Sequence, residues 1–386
     1  MARPSRTRRK SISRPLLCCQ AEIQQLRVFE KFEIIHVAGS NGKGSTCAAI
    51  AGLLQSHGER TSYPKKIGLY TSPHLLHIRE RICINGTPIS KELFAERFFH
   101  IWQKLPREPT PDLDYPRYLQ LLFLLAIDVF ANQDIDVAII ETHMGGQHDA
   151  TNVIPRPVVT AVTSLTEDHI HLLGPNLESI AHHKAGIFKA GSLAYSAPQA
   201  CVAQQVLTTR AEQVGQTLHI LPAEAEDLLE RVATKCPAQR LNHRLAIAVT
   251  KAFLSVKAPV TDNDLLDDTI REGLQRVVLP GRFHNLEHDG MHLFLDGAHN
   301  DDALQSTARW YEANISSRWP STEDRARSYP FLIFAHHSQR DSMQMLRVLL
   351  EALRQVHSHP KCIILTSYRR GDGVYRLGTF PHKYEP

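Results

Sequence analysis

The sequence from position 33 to position 46 reads Glu33-Ile34-Ile35-His36-Val37-Ala38-Gly39-Ser40-Asn41-Gly42-Lys43-Gly44-Ser45-Thr46. Its first half predicts a short buried strand, its second half a glycine-rich turn, and the next residues continue at helical spacing. Such a turn directs backbone N–H groups toward one point, where the N-terminus of the helix adds positive potential. Lys43 can reach phosphate oxygens, and the Ser45 hydroxyl can bind Mg²⁺. We therefore expect a nucleoside triphosphate here.

The spacing departs from the usual phosphate-loop pattern, which places four residues between its first glycine and Gly-Lys-Ser/Thr. Only Ser40 and Asn41 separate Gly39 from Gly42, and Gly44 stands between Lys43 and Ser45. A plain glycine-rich turn is the alternative. The strand before the turn and the helix after it favour phosphate binding.

Composition narrows the class of protein. The chain has 386 residues, which is enough for two or three domains, and 42% of them are apolar. The net charge of +4 is too small to indicate a nucleic-acid surface, and the seven cysteines lack CxxC spacing, as in a reduced intracellular protein. The apolar run Leu119–Phe130 is interrupted by Gln120 and Asp128, which predicts a buried helix rather than a membrane span.

Residues 1–21 form a basic segment without an acidic residue. Rich in arginine and serine, the segment resembles a mitochondrial targeting sequence, and a basic tail is the equal alternative. We expect a cytoplasmic location, with mitochondria as a second compartment.

Strands and helices alternate along the chain, which predicts α/β architecture with a parallel sheet. A central domain is expected over 22–280 and a smaller C-terminal α/β domain over 281–386, divided near Leu279-Pro280-Gly281-Arg282. The predicted strands are Ile34–Ala38, Ile135–Ile140, Val158–Thr163, Leu193–Ser196, His292–Leu295, Phe331–Phe334 and Cys362–Leu365. The predicted helices are Thr46–Gln55, Lys91–Lys104, Tyr118–Asn132, Leu177–Phe188, Asn242–Leu254, one from Asp301, and Ser342–His357. Residues 105–116 are expected to form a loop.

Chemically competent side chains follow the strands, and ligands of parallel sheets bind at the carboxyl ends of strands. Glu141 comes after one apolar strand and can hold magnesium, although a helix cap or an ion pair is the ordinary role of such an acid. Asp168-His169 follow the next strand, where a merely packed histidine is the alternative. Lys184 lies on a predicted helix and would ordinarily be a surface lysine. If it is buried, its pKa falls and its free amine can react with carbon dioxide.

Two segments of the second half also stand out. In Pro280-Gly281-Arg282-Phe283, Arg282 can clamp phosphate charge, and in Leu295-Asp296-Gly297-Ala298-His299-Asn300, Asp296 can accept hydrogen bonds from a ribose or an adenine. A hinge and a turn are the alternatives for these two segments.

Together these segments resemble the Mur ligase superfamily, and within it the folylpolyglutamate synthases. The resemblance is carried by Gly39–Thr46, Tyr70-Thr71-Ser72-Pro73-His74-Leu75, Arg79-Glu80-Arg81-Ile82, Asp149-Ala150-Thr151-Asn152, Asp168-His169, Lys184–Lys189, Pro280–Arg282 and Leu295–Asn300. It implies a Mur-ligase-like fold, in which a phosphate-loop ATPase domain precedes a smaller Rossmann-like C-terminal domain, here shortened. It also implies ATP-dependent ligation of L-glutamate to a folate γ-carboxylate through an acyl phosphate. The expected protein is a monomer that binds these small molecules and neither nucleic acid nor membranes.

The resemblance also implies roles for individual residues. Gly39, Ser40, Asn41, Gly42, Lys43, Gly44, Ser45 and Thr46 would wrap the ATP phosphates, with Arg282 and Asp296 reaching ATP from the second domain. One Mg²⁺ would lie among Ser45, Ser72 and Glu141, and a second among Glu141, His169 and a carbamylated Lys184. Lys43, Glu141, His169, Lys184 and His299 would be the catalytic set, and a monovalent cation such as K⁺ is a further expected cofactor.

Two alternatives stay open. The motifs indicate ATP and metal binding but do not identify the carboxylate substrate, so a dihydrofolate synthase or a related carboxylate–amine ligase is one of them. A nucleotide-binding relative without ligase activity is another, because the chain ends soon after Arg370-Gly371-Asp372 and Ala335 stands where relatives carry asparagine.

Overall fold

The computed structural model of the chain describes residues 26–105, 115–223, 236–319, 329–335, 341–356, 358–367 and 376–379. The predicted basic segment 1–21 and most of the predicted loop 105–116 lie outside these residues. The chain divides into two compact units. The first contains the described residues up to 223 together with Leu241–Leu279, and the second contains 236–240 together with the described residues from Pro280 onward.

The first unit is built on an eight-stranded sheet in the order β4-β3-β2-β5-β1-β6-β7-β8. Strands β1, β2, β5, β6, β7 and β8 run parallel to one another. Strand β3 pairs antiparallel with β2, and β4 pairs antiparallel with β3. The strands are β1 Glu33–Ala38, β2 Ile67–Tyr70, β3 Ile82–Ile84, β4 Thr87–Pro88, β5 Val137–Glu141, β6 Val159–Val162, β7 Leu193–Ser196 and β8 Leu218–Ile220.

Helices cover both faces of this sheet. They are α1 Lys43–Thr61, α2 Lys91–Lys104, α3 Tyr118–Asn132, α4 Ile170–Leu173, α5 Leu177–Ala185, α6 Cys201–Gln213, α7 Pro237–Lys257 and α8 Asp267–Gln275, with 3₁₀ turns at Leu26–Glu30, Ile78–Arg81, Ala150–Val153 and Val260–Asp262. Ile35 and Val37 of β1 pack with α1, α7 and α8, while Ile34 packs with α3. Successive side chains of a strand point to opposite faces, so β1 is buried on both sides and reads as a continuous apolar run.

The second unit contains a two-stranded and a three-stranded sheet. Strands β9 His284–His288 and β10 Met291–Leu295 pair antiparallel; β11 Phe331–Ala335 pairs parallel with β12 Cys362–Ser367, which pairs antiparallel with β13 Arg376–Thr379. Two helices, α9 Asp301–Arg318 and α10 Ser342–Gln355, pack on one another through Leu304, Met345 and Leu349.

The α/β prediction with its large parallel sheet is confirmed, and most predicted elements are present with shifted ends. Helix α1 begins at Lys43 and α7 at Pro237, both earlier than the apolar pattern indicated. The sequence prediction omitted β2, β3, β4, β8, β9, β13, α4, α6 and α8. None of the helices in the described part of the chain is both long and apolar enough to cross a membrane.

Candidate active site

The glycine-rich turn joins β1 to α1 and has the geometry of an anion cradle. Helix α1 begins at Lys43, directly after Gly42 at φ 86°, and Thr46 N donates to Gly42 O at 2.8 Å. A Cβ on Gly42 would lie 2.1 Å from the Asn242 amide oxygen, and a Cβ on Gly39, at φ 151°, would lie 1.8 Å from the Thr163 hydroxyl. Both positions therefore require glycine, and the turn leaves the first N–H groups of a long helix facing one point.

The loop after β6 holds this turn in place. Ser40 N donates to Ser164 O at 3.0 Å, and the Ser40 hydroxyl donates to Thr166 O at 3.0 Å. The Thr163 hydroxyl donates to Asn41 O at 2.7 Å. Sequence analysis missed Thr163, Ser164, Thr166 and Asn242 as supports of the turn, because their link to it exists only in the tertiary structure.

Two lysine ammonium groups lie at the turn. Nζ of Lys43 donates to Gly39 O at 3.0 Å, and Nζ of Lys184, from α5, donates to the same oxygen at 2.6 Å. Lys184 is 2% exposed. Burial, followed by repulsion from Lys43, lowers the pKa of Lys184 to about 7. A lysine that sequence alone would place on the surface is therefore much more easily deprotonated than an exposed lysine.

Glu141 ends β5 and lies beside the turn. It is buried, and its Oε2 accepts the Ser72 N–H at 2.8 Å. The same oxygen is 3.4 Å from the position that a Cβ on Gly44 would occupy. The structure thus brings Glu141, Ser72 and the first turn of α1 together, as the strand-end argument predicts.

Carboxylate and hydroxyl oxygens are the ligands that Mg²⁺ prefers, and a buried carboxylate beside a phosphate cradle fits such an ion. Glu141, Ser45 and Ser72 would hold it. In the described ranges, no three His, Cys, Asp or Glu side chains are grouped so as to bind a metal. Phosphate and water oxygens would supply the remaining ligands.

Asp168 and His169 follow β6 on the same side. Asp168 is buried, and His169 N donates to its Oδ1 at 2.8 Å. His169 takes a left-handed backbone conformation at φ 54°, and its Nε2 is 3.7 Å from Oδ2 of Asp168. With a side chain 39% exposed, the imidazole of His169 is accessible from solvent.

A buried polar chain that the sequence did not reveal runs beneath Glu141. The Tyr70 hydroxyl is 2.6 Å from Nε2 of His143, whose Nδ1 is 3.4 Å from Oδ1 of Asp149. The Thr151 hydroxyl donates to the same oxygen at 2.8 Å and lies 2.8 Å from Nε2 of His36.

Burial and hydrogen bonds shift the pKa values of three groups in this row of buried polar side chains. Burial lowers the pKa of His36 to about 3 and raises that of Tyr70 well above its usual value. Burial would raise the pKa of Asp149 too, but hydrogen bonds from His143, Met144 N and Thr151 N outweigh it and lower the value to about 2. With the proton on Nδ1, His143 donates to Asp149 and accepts from Tyr70. These hydrogen-bonded side chains thus link the end of β2, which precedes Ser72, to the end of β5, which carries Glu141.

The predicted residues of the second unit form a local cluster. Asp296 accepts Phe283 N at 2.7 Å and the Thr307 hydroxyl at 2.9 Å, and burial raises its pKa. The Arg282 guanidinium donates to Gly297 O at 3.0 Å, and the ring nitrogen Nδ1 of His299 is 3.1 Å from the same oxygen. The two quoted segments, which are separate in sequence, are therefore neighbours within this unit.

The fold and the family match together define the class of protein. A parallel sheet whose first strand enters a glycine-rich turn and a long helix is an architecture typical of nucleotide-binding domains. Residues 37–197 match the Mur ligase middle domain, which makes this a domain of the Mur ligase class.

Curated relatives specify the family. The chain is 38% identical to the probable folylpolyglutamate synthase of Schizosaccharomyces pombe over 84% of this chain and 63% of that protein. It is 39% identical to the folylpolyglutamate synthase of Neurospora crassa over 92% of this chain and 69% of that protein. It is also 34% identical to the mitochondrial folylpolyglutamate synthase of Bos taurus over 84% of this chain and 58% of that protein. The chain belongs to the folylpolyglutamate synthase family, and it spans between 58 and 69% of the length of these three relatives.

Solved structures agree. One described as an FPGS–AMPPCP–folate complex superposes with a TM-score of 0.68 at 25% identity, covering 93% of this chain and 86% of that chain. A bifunctional folylpolyglutamate synthase/dihydrofolate synthase with Mn, AMPPNP and L-glutamate bound superposes with a TM-score of 0.67 at 27% identity, covering 91% and 80%.

Proposed function

We propose that this chain is an ATP-dependent amide ligase that adds L-glutamate to the γ-carboxylate of folate glutamates, releasing ADP and phosphate. The observation that carries the proposal is the convergence of Lys43, Lys184, Glu141 and Ser72 on one glycine-rich turn. Family membership supports it, as do relatives whose structures contain an ATP analogue with folate or with manganese and glutamate.

The geometry suits phosphoryl transfer to a carboxylate, which brings two anions together. Backbone N–H groups of the turn and the Lys43 ammonium would bind and orient the triphosphate, while Glu141, Ser45 and Ser72 would hold Mg²⁺, which neutralises charge that develops on the phosphoryl oxygens. The γ-carboxylate of the acceptor would attack the terminal phosphorus and displace ADP. The neutral amine of glutamate would then attack the acyl carbon and displace phosphate, with loss of a proton from nitrogen, to give the amide. Roles for His169, Arg282, Asp296 and His299, and a requirement for K⁺, remain predictions from the family resemblance.

Lys184 supports a further part of the proposal. A lysine whose pKa is about 7 supplies a neutral amine, whose nitrogen can add to carbon dioxide and release a proton to give a carbamate. The carbamate oxygens would then be available as metal ligands. Labelled bicarbonate should give a carbamate carbon signal in NMR of the wild-type protein, and its presence in Lys184→Met would assign that signal elsewhere.

Two substitutions test the central claim. Lys43→Ala should abolish ATP binding in calorimetry, because the turn loses its phosphate-facing cation. Glu141→Ala should retain nucleotide and lose glutamate-dependent ADP release by roughly 10³-fold, on the scale of a lost metal-held charge. Lys251→Ala, at an exposed position on α7, is the control. Near-normal turnover in Lys43→Ala or Glu141→Ala would remove that residue from the mechanism.

A dihydrofolate synthase activity is the second candidate, and the bifunctional structure at 27% identity favours testing it. Supplying dihydropteroate or tetrahydrofolate in turn, with ATP and glutamate, separates the two. ADP release with dihydropteroate alone would replace the first proposal, and ATP binding without ADP release with either acceptor would indicate a non-catalytic relative.

A further inference from the structure

Arg81 is a buried cation at the same edge of the sheet as Ser72. It ends the 3₁₀ turn Ile78–Arg81 and precedes β3, which runs antiparallel to β2 with Ile82 opposite Tyr70. Its carbonyl oxygen accepts Thr71 N at 3.1 Å. Since Ser72 follows directly and donates to Glu141, Arg81 lies alongside the end of β2 that carries the proposed metal ligands.

The Arg81 guanidinium is only partly satisfied. The residue is 6% exposed, its Nε donates to Nδ1 of His74 at 2.9 Å, and its Nη1 is buried without a hydrogen-bond partner. The ring of Tyr118 lies 5.7 Å from its central carbon. No carboxylate among the residues that the structure describes forms an ion pair with it.

The neighbouring charged groups show why the missing carboxylate partner of Arg81 matters. Glu80, the adjacent acid, is engaged by the backbone N–H groups of Leu75, Leu76 and His77 at distances from 2.6 to 3.4 Å. By contrast, Arg97 forms a two-pronged pair with Asp128 at 2.5 and 2.9 Å. A guanidinium that is withdrawn from water normally has an anion, because burying an unpaired charge is costly.

We infer that Arg81 binds a substrate carboxylate, an inference that rests on the proposed ligase function. A guanidinium matches a carboxylate with two parallel N–H···O bonds, and both the folate tail and the incoming glutamate carry an α-carboxylate that does not react. Tyr118, whose ring lies 5.7 Å from the guanidinium carbon, is 53% exposed, and we expect its side chain to rotate aside when such a group binds. Arg81 thereby selects for the α-carboxylate that does not react.

The test compares Arg81→Gln and Arg81→Lys with Arg79→Gln. Arg79 is the matched control, because it lies in the same turn and donates to the carbonyl oxygen of Ile89, at 2.7 Å. Calorimetry with a non-hydrolysable ATP analogue gives Kd for each probe without turnover. The probes are L-glutamate and 4-aminobutyrate, which lacks the α-carboxylate, and folate and its analogue with 4-aminobutyrate as the tail.

Arg81→Gln should weaken one carboxylate substrate by about 10- to 100-fold, the value of a charge-assisted hydrogen bond, and leave ATP affinity unchanged. It should also lose the preference for that substrate over its analogue, which a general loss of structure would not produce. The pair whose discrimination disappears identifies the carboxylate, and Arg81→Lys should recover part of it.

Retained discrimination in Arg81→Gln for both pairs would overturn the inference, as would an equal effect of Arg79→Gln. The proposed function is judged separately. Wild-type protein that binds glutamate or folate through Arg81 but releases no ADP would refute ligase activity alone, and wild-type turnover with unaltered affinities in Arg81→Gln would refute only the role of Arg81.

Discussion

At the scale of the residue, Lys184 shows how burial changes the chemistry of one side chain. Its pKa falls from 10.5 to about 7 in the folded protein, so between these pH values the unfolded chain binds more protons than the native one. The free energy of unfolding must therefore rise with pH in this window, by at most about 1.4 kcal/mol per pH unit from this group. Below pH 7 both states are protonated, and the native state carries the full cost of a buried charge.

Lys184→Met should lack this rise, so its stability relative to the wild type should be greatest below pH 7 and decline toward pH 10. Denaturant unfolding at several pH values, in buffer depleted of carbon dioxide so that no carbamate forms, measures the difference. Lys251→Met, at an exposed position, should run parallel to the wild type. Parallel curves for Lys184→Met as well would show that Lys184 does not titrate in this window.

At the scale of the element, α1 is placed by a close approach to α8. A Cβ on Gly52 would lie 2.5 Å from Gly273 O, and a Cβ on Gly273 would lie 2.8 Å from Leu53 Cα. Because these neighbours are backbone atoms, they cannot turn aside as a flexible side chain would. The contact therefore sets the distance between α1 and α8.

Gly52→Ala should therefore destabilise the protein by about 1–3 kcal/mol, despite the better helix propensity of alanine. Gly44→Ala is the matched control in the same helix, since its nearest atoms are 3.4 and 3.5 Å away, an ordinary contact. Thermal unfolding compares the two. A higher Tm for Gly52→Ala than for the wild type would show that the helices separate without cost.

At the scale of the whole molecule, the chain consists of two compact units, and the proposed role of Arg282 lies in the second. ATP with Mg²⁺ should raise the Tm of the wild type, because a ligand that binds only the native state stabilises it. Arg282→Ala should diminish this rise if its guanidinium binds phosphate. Arg318→Ala, which breaks a half-exposed pair with Glu287 in the same unit, should preserve it. An undiminished rise in Arg282→Ala would show that Arg282 does not take part in nucleotide binding.

Local chemistry made much of the architecture predictable. The run from Glu33 to Thr46 contains its own strand, turn and helix start, because apolar periodicity and the glycine positions act over a few residues. Predicted helices with a clear apolar stripe, such as Tyr118–Asn132, match the structure from end to end. The short strands β3 and β4 escaped, because their pairing partners rather than their composition make them strands.

By itself, then, the sequence determined the class of fold, the glycine-rich turn and the identity of the strand-end residues, all of which depend on neighbours along the chain. Only the tertiary structure decided that Lys184 loses its ordinary pKa, that His143 joins Tyr70 to Asp149, and that Arg81 is buried without an anionic partner among the residues that the structure describes. Burial and hydrogen bonding depend on groups brought together from distant positions, and no pattern within one segment records which groups those will be.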